Sequence, residues 1–247
     1  MASVITREKP RQWRTPGAHA PAVGAARRYR KTAIVAGLLF IIGDIAGMLS
    51  VLVTRGLLEG PGALTRIAAN QNQVVLGALL VLVMGFALAL VPVVLFPVFK
   101  KYNEVLALGC VVFRGALETV AYMASAGAWL LLVELSREHA AASAGASQFH
   151  ALSTLLAGPT PGYLISIAFS LGSLLFYYLF YQSRLVPRWL SVWGLAGAVL
   201  YLASPLLDMF GHGFGLLMAP LAVAEIVLAV WLIVRGLNVS ALKGTPA

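Results

Sequence analysis

The sequence predicts an all-α protein, a polytopic integral membrane bundle of six transmembrane helices. Three observations predict it. The first is composition: 60% of the 247 residues are hydrophobic and only 11% are charged, against roughly 25% charged in an ordinary soluble domain. With a mean hydropathy of +0.87, the chain has too few polar groups to cover a surface in water, so lipid must cover it. The second is the arrangement of the apolar residues in six runs of membrane length. The third is that these runs lack period-two alternation, and in lipid only helices or closed barrels satisfy every backbone polar group, so helices are expected.

The first element is a polar tail, 1–31, MASVITREKPRQWRTPGAHAPAVGAARRYRK, with eight Lys/Arg and prolines at 10, 16 and 21. It is expected to be disordered and cytoplasmic, lying against anionic lipid headgroups. The apolar stretch after it begins late and lacks a small-residue cleavage site, unlike a signal peptide. The transmembrane domain follows over 32–237, with 238–247 as a short cytoplasmic tail. Its spans are expected at about 33–53, 74–98, 104–135, 162–182, 189–207 and 214–235, each near or above the ~20 residues a helix needs to cross the hydrocarbon. PGALTRIAANQNQ, 61–73, is expected to extend the second helix outward, and SQFHALSTLLAG, 147–158, to form a short surface helix.

Orientation follows from the basic residues. With both termini inside, the inner segments carry fourteen Lys/Arg and the outer loops only Arg55, Arg66 and Arg137. That asymmetry predicts an N-in/C-in protein of the cytoplasmic membrane. It also explains the net charge of +9 without nucleic acid as a partner. Tyr177, Tyr178, Tyr181, Trp189 and Trp231 lie toward span ends and are expected to be interfacial anchors. Gly43 and Gly47, Ala168 and Gly172, Gly194 and Ala198, and Ser166 and Ser170 have the small-xxx-small spacing that lets helices approach closely. Pro187 should open the fifth helix, and Pro92, Pro205 and Pro220 should kink spans.

Four charged residues interrupt the apolar spans: Asp44 in the first, Arg114 and Glu118 in the third, Glu225 in the sixth. Counted from the inner helix ends they lie at roughly 18, 16, 22 and 15 Å, which is one layer near the midplane. An isolated charge there costs about 3 kcal/mol or more, so the four are expected to meet and helices one, three and six to adjoin. Arg114 and Glu118 are four apart and share a helix face, and a guanidinium can serve two carboxylates. Three acids against one arginine would leave about −2 of charge in a low-dielectric site. At least one acid therefore holds a proton, or a cation or water-filled cavity compensates.

Other chemistry has little to stand on. Cys110 is the single cysteine and is expected to pack in a helix. His139, His150 and His212 fall in outer loops and His19 in the tail, none with ligand spacing, so no metal is expected. No span carries a histidine for haem or a lysine for a Schiff base, and no glycine-rich phosphate loop is present. No cofactor and no catalytic residue are expected. Ser166, Ser170 and Ser173 lack a base and are read as packing residues. Glu134 and Asp208 are expected to be solvated.

Several stretches carry a resemblance: RKTAIVAGLLFIIGDIAG, NQNQVVLGALL, FPVFKKYNEVLALG with FRGALE after it, YYLFYQSRLVPRWLSVWGLAGAVLYL and EIVLAVWLIVRG. Over roughly 30–237 the chain resembles a mainly bacterial membrane family, the domain of unknown function 4386. SRLVPRWLSVWG and FRGALE are the most specific pieces. The resemblance implies a compact multi-pass bundle in the inner membrane and carries over no substrate, cofactor or residue role. The functional expectation rests on the polar layer: a small transporter or ligand-binding membrane protein whose Asp44, Arg114, Glu118 and Glu225 form a proton- or cation-sensitive site. The alternatives are a structural or regulatory component whose cluster only fixes helix packing, and an intramembrane enzyme of lipid metabolism.

Overall fold

A computed structural model describes residues 20–141, 146–158, 160–238 and 240. Among them the chain forms α1 (Ala20–Thr54), α2 (Ala63–Ala69), α3 (Gln71–Phe99), α4 (Glu104–Cys110), α5 (Glu118–Ala141), α6 (Ala146–Ala157), α7 (Thr160–Ser183), α8 (Arg188–Met209) and α9 (Ala219–Val234). A π-helical segment, Val111–Leu117, joins α4 to α5 in one continuous span, and a 3₁₀ turn, Gly215–Met218, leads into α9. Six of these segments are long and apolar enough to cross a membrane. The molecule is an all-α, multi-pass membrane bundle.

The spans fall where the apolar runs place them, with differences at the ends. The first helix begins at Ala20 rather than near residue 33, because APAVGAARRYRK is rich in Ala, Arg and Lys, strong helix formers that continue the turn of the span. Of the expected disordered tail, residues 1–19 lie outside the described residues and 20–31 are helical. Most of the expected C-terminal tail also lies outside them. Segment 61–73 does not extend the second span: α2 is a separate helix, ended at Asn70, whose side-chain amide donates to the Arg66 carbonyl at 2.9 Å. The expected surface helix is α6. Pro187 caps α8, and Pro220 stands in the first turn of α9, where no intrahelical bond is lost.

Packing follows a face rule. On α1, Leu38, Ile42, Ile45 and Leu49 are exposed toward lipid, while Ala33, Ala36, Phe40 and Ala46 are buried. The buried stripe packs on α3 and α9, α7 packs on α8, and α8 on α9. Small residues set the approach. A Cβ added at Gly37 would lie 2.7 Å from the Ala229 carbonyl oxygen on α9, and one at Gly197 would lie 2.9 Å from the backbone of Leu221. Such contacts bring backbones together where no hydrophobic effect acts between helices. Phe99, Phe176 and Phe180 interlock edge to face at 4.9–5.6 Å in the core.

One end of the bundle is basic and well tied. The Arg30 guanidinium donates to the carbonyls of Ile233 and Val234 at 2.8 and 3.0 Å. Lys101 donates to the Tyr29 hydroxyl at 2.6 Å. The Asn238 amide donates to the Leu185 carbonyl at 2.8 Å. These bonds gather the start of α1, the α3–α4 turn, the α7–α8 turn and the end of α9.

A polar cluster inside the bundle

The site is built around Arg114, which the fold buries completely. It sits in the π-helical segment, where the Glu118 amide reaches back five residues to the Phe113 carbonyl. π-helical turns are rare and concentrate at functional sites. The Thr119 hydroxyl donates to the Gly115 carbonyl at 2.6 Å, giving that acceptor a partner inside the widened turn. On the facing helix α7, Gly172 lets the chains touch: a Cβ there would fall 2.9 Å from the Arg114 backbone nitrogen and Cα.

From this position the guanidinium donates to the Ser173 hydroxyl of α7 and forms a hydrogen-bonded ion pair with Glu225 of α9. Three rings surround it, with its central carbon 5.4 Å from the centroid of Phe40, 4.9 Å from Phe169 and 5.4 Å from Phe176. Aromatic faces attract a cation, and more strongly when it is desolvated. Arg114 is thus satisfied electrostatically on several sides, although its Nε has no hydrogen-bond partner among the described residues.

The acids are treated unequally. Glu225 takes the arginine. Glu118 is 1% exposed, and neither of its carboxyl oxygens bonds to Arg114; the donor within reach is the Tyr122 hydroxyl, one turn on. It lies within electrostatic range of both Arg114 and Glu225. Asp44, half-buried on α1, is in electrostatic range of Glu225 and Arg114, and its Oδ2 is also without a partner. Of the four residues singled out from the sequence, Arg114 and Glu225 are in direct contact, and Glu118 and Asp44 each lie within electrostatic range of both. This arrangement differs from the expectation in two respects. Arg114 does not bridge to Glu118: the π-helical turn between them shifts Glu118 off the face that an α-helical four-residue spacing would share, and the guanidinium donates to Ser173 and Glu225 on other helices. Among the three, the first and sixth spans pack extensively on each other, while the third meets them through Arg114, which reaches Phe40 and Glu225. The third instead packs on α3 and α7, and the length of the Arg114 side chain closes the gap to α9.

Several members of the site were not foreseen. Tyr177, expected at the interface, is fully buried, its ring lying over Gly194 of α8 and its hydroxyl unpartnered. That hydroxyl senses Glu225, Arg114 and Asp44. Tyr122, one turn beyond Glu118, and Tyr201 of α8 lie in range of the same acids. Ser173 and Tyr177 are four apart on α7, a spacing that could have marked them as one polar face. Glu134 is paired with Arg137, and Asp208 accepts from the Tyr163 hydroxyl at 2.8 Å.

Toward the opposite end from the basic residues, a cavity of about 670 Å³ opens between the α1–α2 loop, α5 and α6. Ser125 and Trp129 form part of its wall. Ser125 follows Glu118 by seven residues, two turns along the same helical face and roughly 10 Å away. Tyr122 stands between them.

Residues 35–236 match the family described as a domain of unknown function, DUF4386. The chain belongs to the DUF4386 family. The matched region reaches into all six spans, starting within the first, and includes every residue of the polar cluster. No curated protein and no solved structure matches the chain.

Proposed function

We propose that this DUF4386 protein is a small transporter or ligand-binding membrane protein in which the cluster of Asp44, Arg114, Glu118 and Glu225 binds and releases a proton or a cation. The observation that carries this reading is Glu118. It is a buried carboxyl that takes no bond from the neighbouring arginine, which is already committed to Glu225 and Ser173, and it has the Tyr122 hydroxyl as the donor within reach. A charge taken out of water must be paired, coordinated or neutralised. Glu118 and Asp44 exceed the positive charge available to them, so a proton or cation is the natural complement. The line from the outer cavity through Ser125 and Tyr122 to Glu118 supports access from that side.

A second reading is favoured by Arg114 itself, whose bonds to α7 and α9 make a clasp that fixes helix packing. One experiment separates the two. Infrared titration of the carboxyl groups in purified protein should reveal a protonated-carboxyl band that titrates reversibly and disappears in Glu118→Gln. That variant should keep its fold, since glutamine preserves the shape and can still accept from the Tyr122 hydroxyl. A carboxyl layer that never titrates would sink the exchange site and leave the clasp.

We further infer a cytoplasmic-membrane location with both termini inside. The support is the excess of Lys/Arg at the end that carries Arg30, Lys101, Arg184 and Arg235. Contact of the basic tail with anionic headgroups belongs to the same proposal.

A further inference from the structure

At the basic end, the α7–α8 turn and the end of α9 enclose a cavity of about 470 Å³. Arg184, Arg188 and Arg235 line it beside Asn238 and Trp231, and none of its lining residues is acidic. Among the described residues no salt bridge engages any of the three arginines. Arg188 is held over the Tyr181 ring at 5.2 Å, and the bond from Asn238 to Leu185 fixes the two walls of the cavity together. A second, apolar cavity of about 310 Å³ lies along α9 and shares Trp231 and Arg235 with the first. Its remaining wall includes Ile226, Val230 and Val234, exposed by 41%, 49% and 62%. Their spacing of four makes an apolar stripe along the helix, roughly 12 Å long.

We propose that these two joined cavities bind one anionic phospholipid. The three arginines hold the headgroup phosphate, and an acyl chain lies along Ile226, Val230 and Val234. Guanidinium groups match phosphate oxygens in charge and in fork geometry. Basic pockets between helices at a membrane surface take anionic headgroups. The apolar stripe beginning at the same tryptophan supplies what a free phosphate has no use for. This site is separate from the midplane cluster and stands whether or not that cluster exchanges protons.

Arg184 offers a test in which folding and binding come apart. It is the one non-glycine residue with left-handed backbone among those described, at φ 53°, a conformation glycine adopts freely at a helix end. Arg184→Gly therefore removes a guanidinium while relieving the backbone. Detergent-solubilised protein would be mixed with phosphatidylglycerol or phosphatidylcholine micelles, and retained lipid counted by native mass spectrometry. Wild type should retain phosphatidylglycerol in preference. Arg184→Gly should unfold no earlier than wild type and weaken that retention about fivefold. Adding Arg188→Gln and Arg235→Gln should bring it down to the phosphatidylcholine level. Equal retention of both lipids by wild type, or a preference that survives these changes, overturns the proposal. Displacement of phosphatidylglycerol by millimolar inorganic phosphate would mark a free-phosphate site and overturn the lipid assignment.

Discussion

Two arginine–glutamate pairs lie on the third span, and they behave oppositely. Near its C-terminal end Glu134 precedes Arg137 by three residues, and the two are hydrogen-bonded at 2.8 Å, both more than half exposed. In its middle Arg114 precedes Glu118 by four residues, both buried, and the two do not bond. Spacing alone would rank them as equals. Order and helix geometry separate them: a glutamate before its cation is the favoured order, and only the second pair has a π-helical turn between its members. Environment then inverts their importance. The pair that bonds is bathed in solvent, where an ion pair contributes ~0–1 kcal/mol. The arginine that ignores its neighbour finds a partner on another helix, in a setting where leaving it unpaired is costly.

The sharpest way to break the contrast is to take away that distant partner. Glu225→Gln leaves Arg114 charged and buried, and should lower stability by about 3–5 kcal/mol. The double variant Arg114→Met with Glu225→Leu should recover most of the loss, because replacing both partners by apolar groups removes the desolvation cost. Thermal unfolding in detergent reads both, and a double variant no better than the single would refute the account. A smaller effect is expected from Gly172→Ala. Its methyl would press on the Arg114 backbone, costing about 1–3 kcal/mol by overpacking and displacing the guanidinium from Ser173. The smallest is Arg137→Ala, which should cost less than ~1 kcal/mol and nothing measurable in high salt.

The same contrast explains what could be read from the sequence. Membrane-length apolar runs located all six spans, since nothing else in the chain competes with lipid for them. The charges at one depth pointed to the cluster because each would be expensive alone. The π-helical segment was not legible: no residue in VVFRGAL demands it, and it becomes visible only as the chain meets α7 at Gly172. Tyr177 was misread as an anchor because its position near a span end fits one, while the gap over Gly194 that accepts its ring belongs to another helix. Ser173 looked like packing because a serine in a membrane helix packs well until a donor reaches it. The start of α1 was placed late because hydropathy marks where lipid begins, whereas helix propensity decides where the turns begin.

The partnership of Arg114 with Glu225 also sets a clock. The two residues are 111 positions apart, and chains grow at roughly 5–20 residues per second, so the third span is made about 5–20 s before its counter-charge. During that interval the nascent bundle holds Arg114 with Asp44 and Glu118, but not Glu225, already made. Completion of the sixth span is therefore the step that gives Arg114 its direct counter-charge. A chain interrupted between the two is left with an arginine that nothing in it neutralises through a direct bond.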